Sequence, residues 1–174
     1  MKIPKTKKII KCRLCSYHKL TRVYDFGNHY VSNFVTKSKI NKGIKAPLNL
    51  VYCKNCKLLQ LEHSAPQEIM YKKFYWYRSG VTETMKIALK DIFLNVKKLS
   101  ILKKGDTILD IGANDGTLLK YFKDDGFTTI GCEPAKNLAP ELKKNCKYII
   151  NDFWNVKNLD KILNKNKLKK PKVI

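Results

Sequence analysis

Ile108-Leu109-Asp110-Ile111-Gly112-Ala113-Asn114-Asp115-Gly116 runs from a short apolar stretch straight into a glycine turn. Thr107 to Ile111 has the composition of a buried strand, and Leu118 to Phe122 continues at helical spacing until Asp125-Gly126 ends it. The glycines between them allow a tight turn and the approach of a ligand to the backbone. The same rhythm then recurs. Thr128 to Cys132 reads as a second strand, Ala135 to Asn145 as a helix limited or kinked by Pro140, and Tyr148 to Ile150 as a third strand. Val156, Leu159, Ile162 and Leu163 keep a helical spacing through a Lys/Asn-rich stretch, and Lys172-Val173-Ile174 opens like a fourth strand. Alternation of this kind predicts an α/β fold, a parallel sheet with helices packed on it.

Acidic residues sit where such a sheet presents its strand ends. Glu133 lies 21 positions after Gly112, at the end of the second strand. An acid there hydrogen-bonds ribose hydroxyls in nucleotide-binding sheets. Asp152, after the third strand, can accept from an adenine amino group. The turn itself carries Asp110 and Asp115, which would repel a phosphate, and no Gly-Lys-Ser/Thr follows. S-adenosylmethionine has no phosphate and carries an ammonium and a sulfonium, so this pattern predicts that cofactor. Gly112, Asn114 and Gly116 complete the expected cofactor set with Asp110, Asp115, Glu133 and Asp152. A structural turn with helix-capping carboxylates is the competing reading, and it explains the spacing poorly.

Upstream, Cys12-x-x-Cys15 and Cys53-x-x-Cys56 are two identical pairs with 37 residues between them. A two-residue gap turns both sulfurs of a knuckle toward one ion, and two knuckles complete a tetrahedron. Structural zinc is the expected metal, with a hairpin between the knuckles. Disulfides are disfavoured because no export signal is apparent. Cys132 and Cys146 stand apart and read as buried thiols; His18, His29 and His63 read as ordinary histidines. The region around the pairs is loop-rich, with turns expected at Gly27-Asn28, Asn41-Lys42-Gly43 and Ala46-Pro47. After an aromatic cluster, Met85, Leu89, Ile92, Phe93, Val96 and Leu99 outline one helix face, with Gly105 as a stop. Three segments follow: a zinc-binding module over 1–65, an aromatic linker and helix over 66–104, and a Rossmann-like sheet over 105–174.

The formal net charge is +22, which invites a nucleic-acid partner. Yet arginine occurs only at positions 13, 22 and 78, and the lysines are scattered among Ile and Asn. Bidentate reading of phosphates and guanines favours arginine, so nucleic acid is not the expected partner. No apolar stretch approaches the ~20 residues of a membrane span, and the basic segment from Met1 to Lys11 lacks the apolar core of a signal peptide. A cytoplasmic location is expected.

The chain resembles the zinc-binding class I C-methyltransferases, typified by sugar C-3 methyltransferases acting on nucleotide-linked deoxysugars. The residues carrying the resemblance run from the first knuckle through Phe26-Gly27-Asn28, Ser32-Asn33-Phe34, Ala46-Pro47-Leu48 and Cys56-Lys57-Leu58-Leu59-Gln60-Leu61. They continue with Tyr75-Trp76-Tyr77-Arg78-Ser79-Gly80, Asp110 to Leu119, Glu133-Pro134-Ala135 and Asn151-Asp152-Phe153. The resemblance implies an N-terminal zinc module, a Rossmann-like core and methyl transfer to a carbanion beside a ketone, on a small acceptor such as a nucleotide-linked sugar. It implies substrate contact by Tyr75 and Tyr77, for which core packing is the plainer role. It also implies that later core strands, a histidine base region and a C-terminal domain follow Ile174, so the core is expected to be incomplete: truncated, split so that a second chain supplies the missing half, or only the first part of a longer protein. A nonenzymatic zinc ribbon that binds nucleic acid is the alternative.

Overall fold

The computed structural model describes residues 6–31, 36–38, 43–99 and 101–174. The first five residues, Ser32-Asn33-Phe34 and the expected turn residues Asn41 and Lys42 lie outside the described residues. The chain forms two compact units, Met1–Met70 and Tyr71–Ile174.

The first unit is built on antiparallel pairing. Strands β1 (Lys7–Lys8), β2 (Leu20–Tyr30), β3 (Lys45–Cys53), β4 (Leu59–Leu61) and β5 (His63–Ser64) form a β2-β3-β4 sheet and a β1-β5 pair. The β2-β3 hairpin, which pairs Leu20 with Cys53 and Tyr30 with Lys45, is the expected hairpin between the knuckles. Two expected turns are strand residues instead. Gly27 (φ 82°) sits where the β2 register shifts between Asp25 and Asn28, and its N–H donates to the Asp25 carboxylate at 2.7 Å. A glycine in the left-handed region lets a strand absorb an extra residue without turning back. Pro47 lies in β3 opposite Asn28. Because β4 reaches only Leu50 to Tyr52, β3 is flanked on one side alone at Pro47, where a missing N–H is tolerated.

Polar residues fill much of this interior. Glu62 is buried and accepts from Arg22 at 2.7 Å, Lys8 at 3.1 Å and Asn49 at 3.1 Å. Desolvation pushes its pKa upward, but the Asn49, Lys8 and Arg22 bonds win and hold it at about 2. One carboxylate thereby ties β1, β2 and β3 together.

The second unit is a parallel sheet with helices on both faces, the Rossmann-like arrangement expected. Strands β6 (Thr107–Ile111), β7 (Thr128–Cys132) and β8 (Tyr148–Ile150) run in register, Leu109 beside Ile130 and Ile130 beside Tyr148. Val173 bridges Ile108 on the other edge of β6, where Lys172 N–H donates to Thr107 and Leu109 N–H to Val173. The fourth segment therefore returns beside the first strand. Strand order reverses at that point, and open α/β sheets bind ligands there, beyond the carboxyl ends of the strands.

Helices α1 (Glu83–Leu99), α2 (Thr117–Asp124), α3 (Ala139–Asn145) and α4 (Val156–Lys165) complete the unit. Successive residues of β6 face opposite sides. Ile108 packs with Phe93, Leu119, Phe122, Phe127 and Leu142; Leu109 packs with Ile130, Ile150, Leu159 and Leu163. The α1 face is narrower than the sequence pattern implies. Phe93 is buried and Val96 packs beside it, whereas Ile92 and Leu99 fall at the flank and are exposed. Helix α3 begins at Ala139, not Ala135, with Pro140 in its first turn. Its absent N–H is no loss there, so Pro140 starts the helix and does not kink it. Gly105 (φ 88°) turns the chain into β6 and lies beyond the end of α1. Among the described residues no helix is long and apolar enough to cross a membrane.

Candidate functional site

In the first unit, the two knuckles repeat one backbone design. Cys12 N–H donates to Tyr17 and Cys53 N–H to Leu58; Ser16 N–H donates to Cys12 and Lys57 N–H to Cys53. Ser16 (φ 59°) and Lys57 (φ 65°), each one residue past a knuckle, share the left-handed conformation. Neither is glycine, so residue type does not signal it. The four ligand atoms lie within 4.8 Å of one another, with Cys12 Sγ to Cys56 Sγ at 3.5 Å and Cys15 Sγ to Cys53 Sγ at 3.6 Å. A tetrahedron with ~2.3 Å Zn–S bonds has edges of ~3.8 Å. All six cysteines are free thiols. Geometry and donor type fit zinc.

Hydrogen bonds prepare these thiols for a cation. The Cys15 backbone amide, aided by the Gln60 side chain, draws Cys12 down to about 6, and the Asn55 side chain with the Tyr17 amide lowers Cys15. The Leu58 amide works in the same direction on Cys56, but desolvation and the three neighbouring sulfurs push that thiol up to about 12. Four sulfurs this close cannot all ionise unless a cation sits among them.

In the second unit, Asp110 lies one residue before the end of β6 and Glu133 follows β7, so the sheet brings the two carboxylates together. Gly112 (φ 84°) turns between them, tied down by N–H bonds from Gly112 and Ala113 to the Cys132 carbonyl. A side chain added at Gly112 would meet nothing within 4 Å, which leaves this backbone open to approach. Glu133 is buried and accepts from Asn114 N–H at 3.1 Å and Ala135 N–H at 2.8 Å. Burial first, and Glu133 second, push the Asp110 pKa up.

The other expected cofactor residues have partners within the protein. Asp115 accepts from Gly80 N–H at 2.7 Å and from the Thr117 hydroxyl at 2.6 Å and N–H at 3.1 Å, at the start of α2. Asn114 accepts from Ser79 N–H and donates to the Tyr77 carbonyl. Gly116 (φ 80°) is a packing glycine, since an added Cβ would stand 2.9 Å from both Asn145 and Leu142. Asp152 pairs with Lys72 at 2.8 Å, and that bond chiefly lowers its pKa.

Residues 71–80 thus form a strap fastened along the carboxyl end of the sheet. Asn137, which the sequence did not single out, accepts from Tyr75 N–H and donates to Tyr75 C=O, both at 2.9 Å. Arg78 pairs with Glu141 at 2.8 Å. Tyr75 is partly buried with its ring 5.9 Å from that of Tyr71, while Tyr77 is exposed. Lys72, Asn137 and Glu141 carry no local motif; their roles depend on partners about sixty or more residues away.

The charge pattern of this end is selective. In a chain of +22, Asp106, Asp124, Asp125, Glu141 and Asp152 each pair with lysine or arginine. Among the described residues Asp110, Asp115 and Glu133 form no such pair, and the Asp110 carboxylate has no hydrogen-bond partner. A half-buried Asp110 beside a buried Glu133, neither paired with a cation, fits a ligand that brings positive charge of its own.

Fold and site define an α/β protein in which a four-cysteine zinc module accompanies a Rossmann-like sheet with acids at the carboxyl ends of its strands. Residues 12–71 match the family model described as "Putative zinc binding domain" of the Methyltransf_13 family. The chain is also similar to the C-methyltransferase NovU of Streptomyces niveus, 26% identical over 133 residues, covering 75% of this chain and 31% of that protein. The two matches bear out the resemblance to the zinc-binding C-methyltransferases. The chain spans about a third of the length of the curated relative it matches.

Proposed function

We propose that this chain binds S-adenosylmethionine in the cleft at Asp110, Gly112 and Glu133 and serves methyl transfer to carbon on a small acceptor, a nucleotide-linked keto-deoxysugar. The observation that carries this reading is the half-buried Asp110 beside the buried Glu133, neither with a lysine partner, at the strand-order reversal of a strongly basic chain. When bound, the cofactor supplies an electrophilic methyl group. Glu133 would hold ribose hydroxyls, Gly112 would admit the ligand to the backbone, and Asp110 would face positive charge. Asp152 would meet the adenine amino group from the oxygen that Lys72 leaves free. Tyr75 and Tyr77, held on the strap, would meet the acceptor.

Carbanion formation beside a ketone also requires a general base. None of the described residues is assigned that task, and a further segment or a second chain supplying it belongs to the proposal. The zinc of the four-cysteine site folds its module and has no part in the chemistry.

Calorimetric titration of the zinc-loaded chain with S-adenosylhomocysteine tests the reading. One-to-one binding is expected, weakened by about 1–3 kcal/mol in Glu133→Gln, the scale of a charged hydrogen bond. A folded, zinc-loaded chain that does not bind it would overturn the proposal. Salt-dependent RNA binding by that same chain would favour a zinc-ribbon module.

A further inference from the structure

Gln60 lies on β4, beyond the second knuckle, yet its side chain reaches the first. Its amide nitrogen Nε2 stands 3.3 Å from Cys12 Sγ. Its Oε1 accepts from the Arg13 backbone N–H at 3.1 Å and, more loosely, from the Arg13 guanidinium at 3.4 Å. Arginine offers donors only, so the amide oxygen must face Arg13 and the amide N–H must face sulfur. Arg13 is fixed in turn by the Leu61 carbonyl and by Ser64 Oγ at 2.9 Å. Both Gln60 (8% exposed) and Cys12 (1%) are buried, so water is poorly placed to substitute for this bond. Leucine would fill a similar volume, and packing alone therefore does not call for an amide.

We propose that Gln60 is a positioning residue of the metal centre: its amide orients the Cys12 thiolate and withdraws charge from it, while Arg13 sets the direction of the amide. A divalent ion held by four thiolates leaves a net charge of −2, which a buried N–H donor to sulfur offsets. The brace also joins the two halves of the site. Gln60 follows the second knuckle and Cys12 opens the first, so the hairpin that carries one pair of ligands orients a ligand of the other. This inference is independent of methyl transfer.

The test uses the full zinc-loaded chain and Gln60→Leu. Zinc affinity, measured by competition with a chromophoric chelator, is expected to fall 10–100-fold, the usual effect of losing an outer partner of a metal ligand. With cobalt in place of zinc, the thiolate-to-metal charge-transfer band is expected to move to lower energy, which a purely packing role would not produce. Affinity within twofold of the parent and an unmoved band would overturn the proposal. A measurement on the unaltered chain guards against a variant that fails to fold. With cadmium-113 bound, scalar coupling from the metal to the Gln60 side-chain amide proton is expected. Couplings to knuckle backbone amides with none to Gln60 would equally refute it.

Discussion

The two units of this chain solve the problem of an interior in opposite ways. Among the described residues of the first unit, only Ala46, Val51 and Ile69 are buried aliphatic side chains, and they share that interior with Asn49, Gln60, Glu62 and two of the four clustered cysteines. The second unit buries phenylalanine, leucine and isoleucine on both faces of its sheet. A small unit with so little apolar surface cannot offset the conformational entropy lost on folding by burial alone. The metal must supply what the core lacks. In the second unit the core suffices, and the sheet end is free to hold Asp110, which among the described residues has neither a cation nor a hydrogen bond to stabilise it.

The largest effect should come from breaking the four-cysteine site. Structural zinc contributes about 10–16 kcal/mol of apparent binding energy, more than a small module's whole stability. Cys53→Ser, or chelation of the parent, is therefore expected to abolish the native amide spectrum of residues 6–70 and leave that of the parallel sheet. Zinc retained with a native spectrum in Cys53→Ser would end the contrast drawn above.

A complementary loss is expected from the apolar side. Leu119 on α2 is fully buried beside Phe122 and Leu142. Leu119→Ala should cost about 2–5 kcal/mol, read from the denaturant transition of the second unit, with zinc content unchanged. Loss of zinc in that variant would mean that the units do not fold by separate means.

Much of this contrast was legible in the sequence, because it is written in local patterns. Two Cys-x-x-Cys pairs announce a metal, and strand-turn-helix alternation announces a parallel sheet. Residue type alone misled where the backbone made an unusual choice. Gly27 and Pro47 signal turns, yet one serves a bulge and the other a strand left unpaired on one side. What could not be read was the set of side chains whose partners are remote in sequence. Gln60 meets Cys12 across 48 positions and Asn137 meets Tyr75 across 62; Gln60 stands in a stretch that carries the resemblance, but nothing local reveals its partner, and nothing local marks Asn137. Asp115 shows the same limit from the other side. Its place in the glycine turn points to a ligand, while its carboxylate accepts from Gly80 and Thr117.

Asp110 offers the smallest and most discriminating effect. Burial and the neighbouring Glu133 raise its pKa, so the folded chain holds that proton more tightly than the unfolded chain does. A carboxylate raised in this way lowers stability as pH climbs from its ordinary value, 3.8, through the folded one, and the penalty persists at neutrality. Asp110→Asn is therefore expected to raise the thermal midpoint of the second unit at pH 7 while weakening S-adenosylmethionine binding. In the parent, affinity for that cationic ligand should fall as acid protonates Asp110, and the variant should lose this part of the pH dependence. A variant that is less stable at neutral pH, or that binds as tightly as the parent, would show that Asp110 belongs to the scaffold. The opposite pair of changes would place it among residues kept at the expense of stability, unlike Glu62 of the zinc module, whose carboxylate is held by Asn49, Lys8 and Arg22.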